Sequence, residues 1–288
     1  MAEQKRRFFW RLVLPALGFL GLITLLPVLY LVVTSLTPLT LTNPSSASDF
    51  SKPLANYGLL LSDTRLRESL WTQAKLSFFT VGLQLVLGLW AATVVHARPL
   101  TGEVIRTAFL IPMVLPPIVV AIIWKVLYSP DISPFWWLFT AFGLSVPSPI
   151  TDARMALGAI ILADTWEWFP FTMLIILAAL KLMPDEWIEA ALVDGATEWQ
   201  TFRYITLPYL KGSLLVAGLF RLIDSIKAFP LIYILTDGGP GTVTEITNYY
   251  TFVQAFNFSY IGYSSAITVC LVALVAVERR AKVGHLRG

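Results

Sequence analysis

The chain has 288 residues, 56% of them hydrophobic and 14% charged, with a formal net charge of +3; its mean hydropathy is +0.70. A soluble domain carries about 25% charged residues, so this composition excludes an ordinary soluble enzyme. It also excludes a disordered chain, which needs low hydrophobicity and high net charge. A single cysteine, Cys270, excludes an intrachain disulfide framework and a Cys-rich metal site. The basic residues lie between apolar blocks and form no patch, which points to membrane topology and away from nucleic acid.

A membrane helix needs about 20 mostly apolar residues to cross the hydrocarbon core. Six stretches qualify in chain order: 12–36, 70–95, 105–128, 156–180, 213–235 and 261–277. The first has no charged residue. It is too long for a signal-peptide core, and no small-x-small cleavage site follows it, so it reads as an anchor. The third contains Pro112, Pro116 and Pro117 and must be kinked or broken. The fourth holds Asp164 and Glu167, and the fifth holds Arg221, Asp224 and Lys227.

Orientation follows from Lys and Arg in the connecting segments. With the N-terminus inside, the inner segments hold Lys5, Arg6, Arg7, Arg11, Arg98, Arg106, Lys181, Arg203, Lys211, Arg279, Arg280, Lys282 and Arg287. The outer segments hold only Lys52, Arg65, Arg67 and Arg154. Both termini are therefore expected in the cytoplasm. The expected organisation is a cytoplasmic segment 1–11, a six-helix transmembrane domain 12–277, and a cytoplasmic tail 278–288. Segments 37–69, 129–154 and 236–260 lie outside in this scheme, and 181–212 is the one long inner loop. No internal repeat of fixed period is visible, which argues against a transporter built on inverted repeats.

The inner loop has a legible local structure. Pro184 suits the first position of a helix, and Asp185 and Glu186 suit its positive end. Glu189, Ala190 and Ala191 continue the helix, and Gly195 ends it in the left-handed conformation. Thr197 with Gln200 forms a capping box for a second helix, which Pro208 is expected to stop. Small side chains at Ala190 and Ala191 would admit another protein closely, with Trp187, Trp199 and Phe202 as apolar anchors. The alternative on pattern alone is a helical hairpin that lies on lipid.

The residues Glu189, Ala190, Ala191, Gly195, Ile205, Leu207 and Pro208 stand at the spacing of the "EAA loop", so the chain resembles the permeases of bacterial ATP-binding-cassette importers. Asp194-Gly195-Ala196 and the stretch Thr236-Asp-Gly-Gly-Pro240, with Thr244 and Tyr250, are similar to one branch of that family, the maltose-permease-like subunits of carbohydrate importers. The resemblance runs over about 109–266. It implies an all-α, polytopic type I permease fold of six transmembrane helices in the bacterial inner membrane. It implies a second permease subunit as heterodimer partner, two cytoplasmic ATPases and an extracytoplasmic solute-binding protein. It further implies that the loop 181–212 docks on the ATPase, with coupling carried by Glu189, Ala190, Ala191, Asp194 and Gly195. No cofactor is expected in this chain, since it lacks a G-x-x-x-x-G-K-[ST] phosphate loop; ATP and Mg would be bound by the partner ATPase. Gly238-Gly239-Pro240-Gly241 lacks the lysine and reads as a turn.

Charges inside a membrane are costly, about 2.5–3.5 kcal/mol at the helix centre on insertion scales, and they face cavities or one another. Asp164, Trp168 and Phe171 share a helix face by spacing, with Glu167 beside them. Arg221, Ser225 and Ala228 share another, flanked by Asp224 and Lys227. One reading is a polar solute path. The resemblance implies it, because the sugar-contacting positions of related permeases align with Asp164, Trp168, Phe171, Arg221, Ser225 and Ala228, and on the third span with Met113 and Pro117. Aromatic faces and charged hydrogen-bonding groups both suit sugars. The other reading is structural pairing among Arg221, Asp224 and Lys227, with Asp164 or Glu167 neutralising across helices. Arg221 and Lys227 also leave an anionic sugar open as the solute. Phe229-Pro230 departs from the Asp frequent in related sequences and would break or kink the fifth span.

Other features read as bland. His96 and His285 lie in separate inner segments and make no metal site. Trp10, Trp136 and Trp137 fit an interfacial belt, and Glu103 and Arg106 read as a solvated inner turn. The function expected is import of a sugar or sugar-like solute by alternating access, with no covalent chemistry in this chain. The rivals are a permease for another solute class, such as amino acids or phosphate, and a membrane-embedded enzyme using Asp164 and Glu167 as an acid pair.

Overall fold

The structure is a computed structural model that describes residues 2–98, 101–143 and 147–285; Arg287 lies outside them. Among the described residues it is all-helical, with one isolated β-bridge between Thr40 and Asn43. The helices are α1 (Ala2–Ser35), α2 (Ala55–Ser62), α3 (Thr64–His96), α4 (Gly102–Val114), α5 (Pro117–Tyr128) and α6 (Pro134–Ala141). They continue with α7 (Ala156–Leu180), α8 (Asp185–Val193), α9 (Glu198–Thr201), α10 (Leu207–Ser225), α11 (Phe229–Leu235), α12 (Thr247–Phe252) and α13 (Ile261–His285).

Among the described residues, four helical segments are long and apolar enough to cross a membrane: Val13–Ser35, Thr64–His96, Ala156–Leu180 and Glu198–Ser225. The expected third span is the pair α4 and α5, bent by 96° at the break. Leu115 and Pro116 are extended there, with ψ of 141° and 139°, as a residue preceding proline prefers. The expected sixth span contains a shorter apolar run, Ile261–Ala273, within α13.

Two compact units divide the chain, residues 1–66 with 250–288, and residues 67–249. In the first, α1 and α13 pack together and α2 packs on α13. Thr34 donates to the Ser265 hydroxyl at 3.0 Å, and the Asn56 amide donates to the carbonyls of Ser35 and Thr37, both at 2.9 Å. Asp63 accepts hydrogen bonds from the hydroxyls of Tyr250 and Tyr263 and from the Leu66 amide. Pro38, Leu39, Leu59 and these tyrosines line a cavity of about 470 Å³.

The second unit holds the remaining charged spans. Lipid tails are as apolar as leucine, so helices within a bilayer associate through close packing and hydrogen bonds more than through apolar burial. Gly88 provides that closeness: a Cβ there would stand 2.6 Å from the Thr172 side chain. The seam continues in Ala91, Ala92 and Val95 of α3 against Met173, Ile176, Leu177 and Leu180 of α7, closed by Leu210 of α10. Gln84 touches Asp164 and Gly88 meets Thr172, so α3 and α7 run the same way. Between them, Phe109 meets Phe169, Trp124 meets Trp166, and the Tyr128 hydroxyl donates to the Ala159 carbonyl at 2.9 Å. The bent pair thus runs antiparallel to α7, from the level of Phe169 to that of Ala159.

Of two expectations about α10, one fails and the other, a break near Pro230, is met. Pro208 does not stop a helix: a π-helical turn over Phe202–Thr206 leads directly into α10, so Pro208 lies within the continuous segment Glu198–Ser225 and the wider turn before it takes up the missing amide donor. The fifth span is not continuous over 213–235. It ends at Ser225, and a tight turn follows in which the Phe229 amide bonds the Lys227 carbonyl at 2.7 Å. Pro230 lies in the first turn of the new helix α11, which packs on α5 and α7.

Candidate functional site

Three helices of the second unit bring a charged network together. Asp164 comes from α7 and Arg221 from α10; both are buried, Arg221 to 1% exposure, and their charged atoms lie 3.5 Å apart. Gln84 of α3 joins them. Its amide nitrogen donates to the Asp164 carboxylate at 2.8 Å and to the Asp164 carbonyl at 3.1 Å, and its oxygen accepts from Arg221 Nε at 2.8 Å. Arg221 also lies 3.6 Å from Asp224, one turn along, and its guanidinium stands over the Trp168 ring at 4.6 Å from the centroid. Lys227, largely exposed, donates to Asp224 at 3.2 Å. Losing one member of a buried ion pair costs about 3–5 kcal/mol, so the network fixes α3, α7 and α10 at one level.

Beside the network is a cavity of about 190 Å³, lined by Pro117, Asp164, Glu167, Trp168, Arg221, Asp224, Lys227, Ala228, Pro230 and Leu231. The structure therefore joins most of the residues expected on the solute path. Ala228 does so from the turn after α10, as N-cap of α11, and not by helical spacing from Arg221. Three expected residues stand apart from the lining. Ser225 is buried and donates to the Ser77 hydroxyl at 2.7 Å. The Phe171 ring packs edge-on against Phe220. Met113 precedes the bend between α4 and α5. Glu167 is 1% exposed, and neither of its oxygens meets a hydrogen-bond donor at normal geometry.

Gln84 was not singled out by sequence reasoning. The signal that finds it is a polar stripe within an apolar helix: Gln73, Ser77, Thr80 and Gln84 recur at i, i+4, i+7 and i+11, and all four are buried. Glu103 and Arg106 also differ from their bland reading. They form an ion pair at 2.7 Å in the first turns of α4, with Lys181 3.9 Å from Glu103. Among the described residues no group of three His, Cys, Asp or Glu side chains stands close enough to hold a metal ion.

The loop between α7 and α10 forms two short helices. Pro184 is the N-cap of α8, one residue earlier than expected, and Asp185 and Glu186 occupy its first turn. The C-terminus is a Schellman arrangement: the Ala196 amide bonds the Ala191 carbonyl at 2.9 Å and the Gly195 amide bonds the Leu192 carbonyl at 3.1 Å. Gly195 sits at φ 79°, which costs a side-chain-bearing residue about 1 kcal/mol or more. Thr197 and Gln200 complete the expected capping box on α9. Glu189, Ala190, Asp194 and Gly195 are exposed, as are Trp187 and Trp199. Ala191, expected to face outward, is buried within the chain instead.

A family model described as the binding-protein-dependent transport system inner membrane component matches residues 84–281. The chain belongs to that family. It is an all-α, multi-pass membrane protein with the fold of importer permeases. The trehalose/maltose transport system permease protein MalF of Thermococcus litoralis is 36% identical over 222 residues, which cover 77% of this chain and 75% of that protein. The trehalose transport system permease protein SugA of Mycobacterium tuberculosis is 33% identical over 279 residues, 96% of this chain and 87% of that protein. The crystal structure of a bacterial ABC transporter involved in the import of the acidic polysaccharide alginate superposes with a TM-score of 0.79. That pairing has 18% identity and covers 95% of this chain and 93% of that one, a likeness of fold.

Proposed function

We propose that this chain is the permease subunit of an ATP-binding-cassette importer and carries a sugar or sugar-like solute from an extracytoplasmic binding protein into the cytoplasm. The observation that carries the reading is the 190 Å³ cavity to which Trp168, Asp164, Glu167 and Arg221 contribute inside otherwise apolar spans. An aromatic face beside charged hydrogen-bonding groups fits a ring with apolar faces and hydroxyl edges. Ligand pockets usually measure about 300–1,000 Å³, so this cavity is one half of a path completed by a second permease subunit. The names of the MalF and SugA relatives, which specify trehalose or maltose, support the same solute class.

Both termini and the loop 181–212 face the cytoplasm in this reading, as the distribution of Lys and Arg favours. Two partner ATPases bind ATP and Mg and hydrolyse the nucleotide. Their closure is transmitted through α8 and Gly195. Glu189, Ala190 and Asp194 are open for that contact, and Trp187, Leu192, Val193 and Trp199 expose apolar surface around them. The path then alternates between the binding protein and the cytoplasm. The solute route comprises Met113, Pro117, Asp164, Glu167, Trp168, Phe171, Arg221, Asp224, Ser225 and Ala228.

Reconstitution of the chain with its neighbouring subunits tests this. Loaded binding protein is expected to stimulate ATP hydrolysis and drive sugar uptake. Glu189→Lys is expected to lower uptake about tenfold or more, the loss that follows removal of an interface anchor, while hydrolysis continues. Normal uptake with that substitution ends the coupling role. Substrate turnover by the chain alone would favour a membrane-embedded enzyme.

A further inference from the structure

The 190 Å³ cavity is lined by three carboxylates, Asp164, Glu167 and Asp224, and two cations, Arg221 and Lys227. Four of these five are already engaged. Arg221 meets Gln84, Asp164, Asp224 and the Trp168 face, and Lys227 meets Asp224. Asp164 accepts from Gln84. Glu167 alone in this set makes no hydrogen bond of normal geometry, and it is buried. A buried carboxyl without well-placed partners is unfavourable, and a ligand that supplies them relieves that cost. Donors are what sugar hydroxyls offer. A carboxylate or sulfonate group brings none, and it would add negative charge where carboxylates already outnumber cations. The guanidinium that would attract it is held by its neighbours.

We propose that Glu167 is the specificity-determining acceptor of the path, which takes uncharged, hydroxyl-bearing sugars and rejects those whose entering ring carries a carboxylate, sulfonate or phosphate. This rests on the sugar-import reading and goes further by fixing the charge of the solute. Kinship does not fix it: relatives are named for trehalose and maltose and another, 32% identical, for sulfoquinovosyl glycerol, while the structure of like fold comes from an importer of an acidic polysaccharide.

The test uses the whole importer in liposomes with its binding protein, given trehalose, maltose, a galacturonate disaccharide and an amino-acid mixture. Uptake of a neutral disaccharide is expected, and Glu167→Gln is expected to reduce it about tenfold, the loss of a hydrogen bond to a charged group. The variant is expected to unfold at the same or a higher temperature, because it removes a buried carboxyl that has no well-placed partner. A structural partner of Arg221 would give the opposite shift, so a lower unfolding temperature with lower uptake overturns the proposal. So does unchanged neutral uptake in the variant. Galacturonate uptake at the rate of the neutral sugars overturns it while leaving sugar import standing. Uptake of amino acids and of no sugar ends the sugar-import reading itself.

Discussion

Gln84 bridges opposite charges that stand too far apart to hydrogen-bond each other directly, with 3.5 Å between Arg221 and Asp164 and 2.8 Å from each to the amide. Gln84→Ala leaves a buried carboxylate and a buried guanidinium each short of one partner. Between membrane helices such bonds contribute less than in water, up to about 1.7 kcal/mol, but charged partners raise the value. A loss of about 1–2 kcal/mol is expected, read as a lower unfolding temperature of the solubilised protein; an unchanged temperature would mean the bridge is idle. Asp164, Glu167 and Arg221 were legible in the sequence because a charge in an apolar run is conspicuous. Gln84 was not, because a neutral amide barely disturbs hydropathy, and only its place in a buried polar stripe distinguishes it. Nor was the division of labour legible: which carboxylate is paired and which is left open depends on the rotation of three helices about their axes.

Asp63 ties together pieces remote in sequence, the start of α3 and the tyrosines Tyr250 of α12 and Tyr263 of α13. Burial pushes its carboxyl up, but the hydroxyls of Tyr250 and Tyr263 and the amides of Leu66 and Arg65 outweigh that and hold it below the ordinary carboxylate value. A depressed native value stabilises the fold above the unfolded-state value near about 4 and stops doing so as pH falls through the native value. The unfolding temperature of the wild type is therefore expected to drop on acidification below about pH 4. It should drop further than that of Asp63→Asn, which cannot titrate there; parallel acid curves would remove the tie. Element boundaries were legible where local chemistry decides them. Residues 156–180 appear as α7, and Gly195 and the Thr197 capping box terminate and start helices as expected. The break near Pro230 was legible, and the misreading falls at Pro208: the π-helical turn that carries the helix past a residue without an amide donor leaves no mark in the sequence.

At the scale of the molecule, α3 and α7 run the same way and α10 runs against both, since Arg221 meets Asp164 while Leu210 meets the seam near Leu180. That alternation needs the bent pair to carry the chain back across. If α1 and α13 each cross once as well, the crossings are even in number and both ends are expected on one side. Fluorescent reporters that mature only in the cytoplasm are expected to light up at either terminus; a dark signal at one end alone would mean an odd count. The all-helical, multi-pass character was legible from apolar length, but the packing order was not, because hydropathy carries no information about which helix meets which. The bend between α4 and α5 has one more consequence. Pro116 and Pro117 bring no N–H to the turn that precedes them, so the Met113 carbonyl has no helical donor. Hydrocarbon does not tolerate a bare carbonyl. The corner therefore calls for a donor from outside its own helix, from a neighbouring chain or from water let into the oil, and Pro117 stands on the wall of a cavity with room for one.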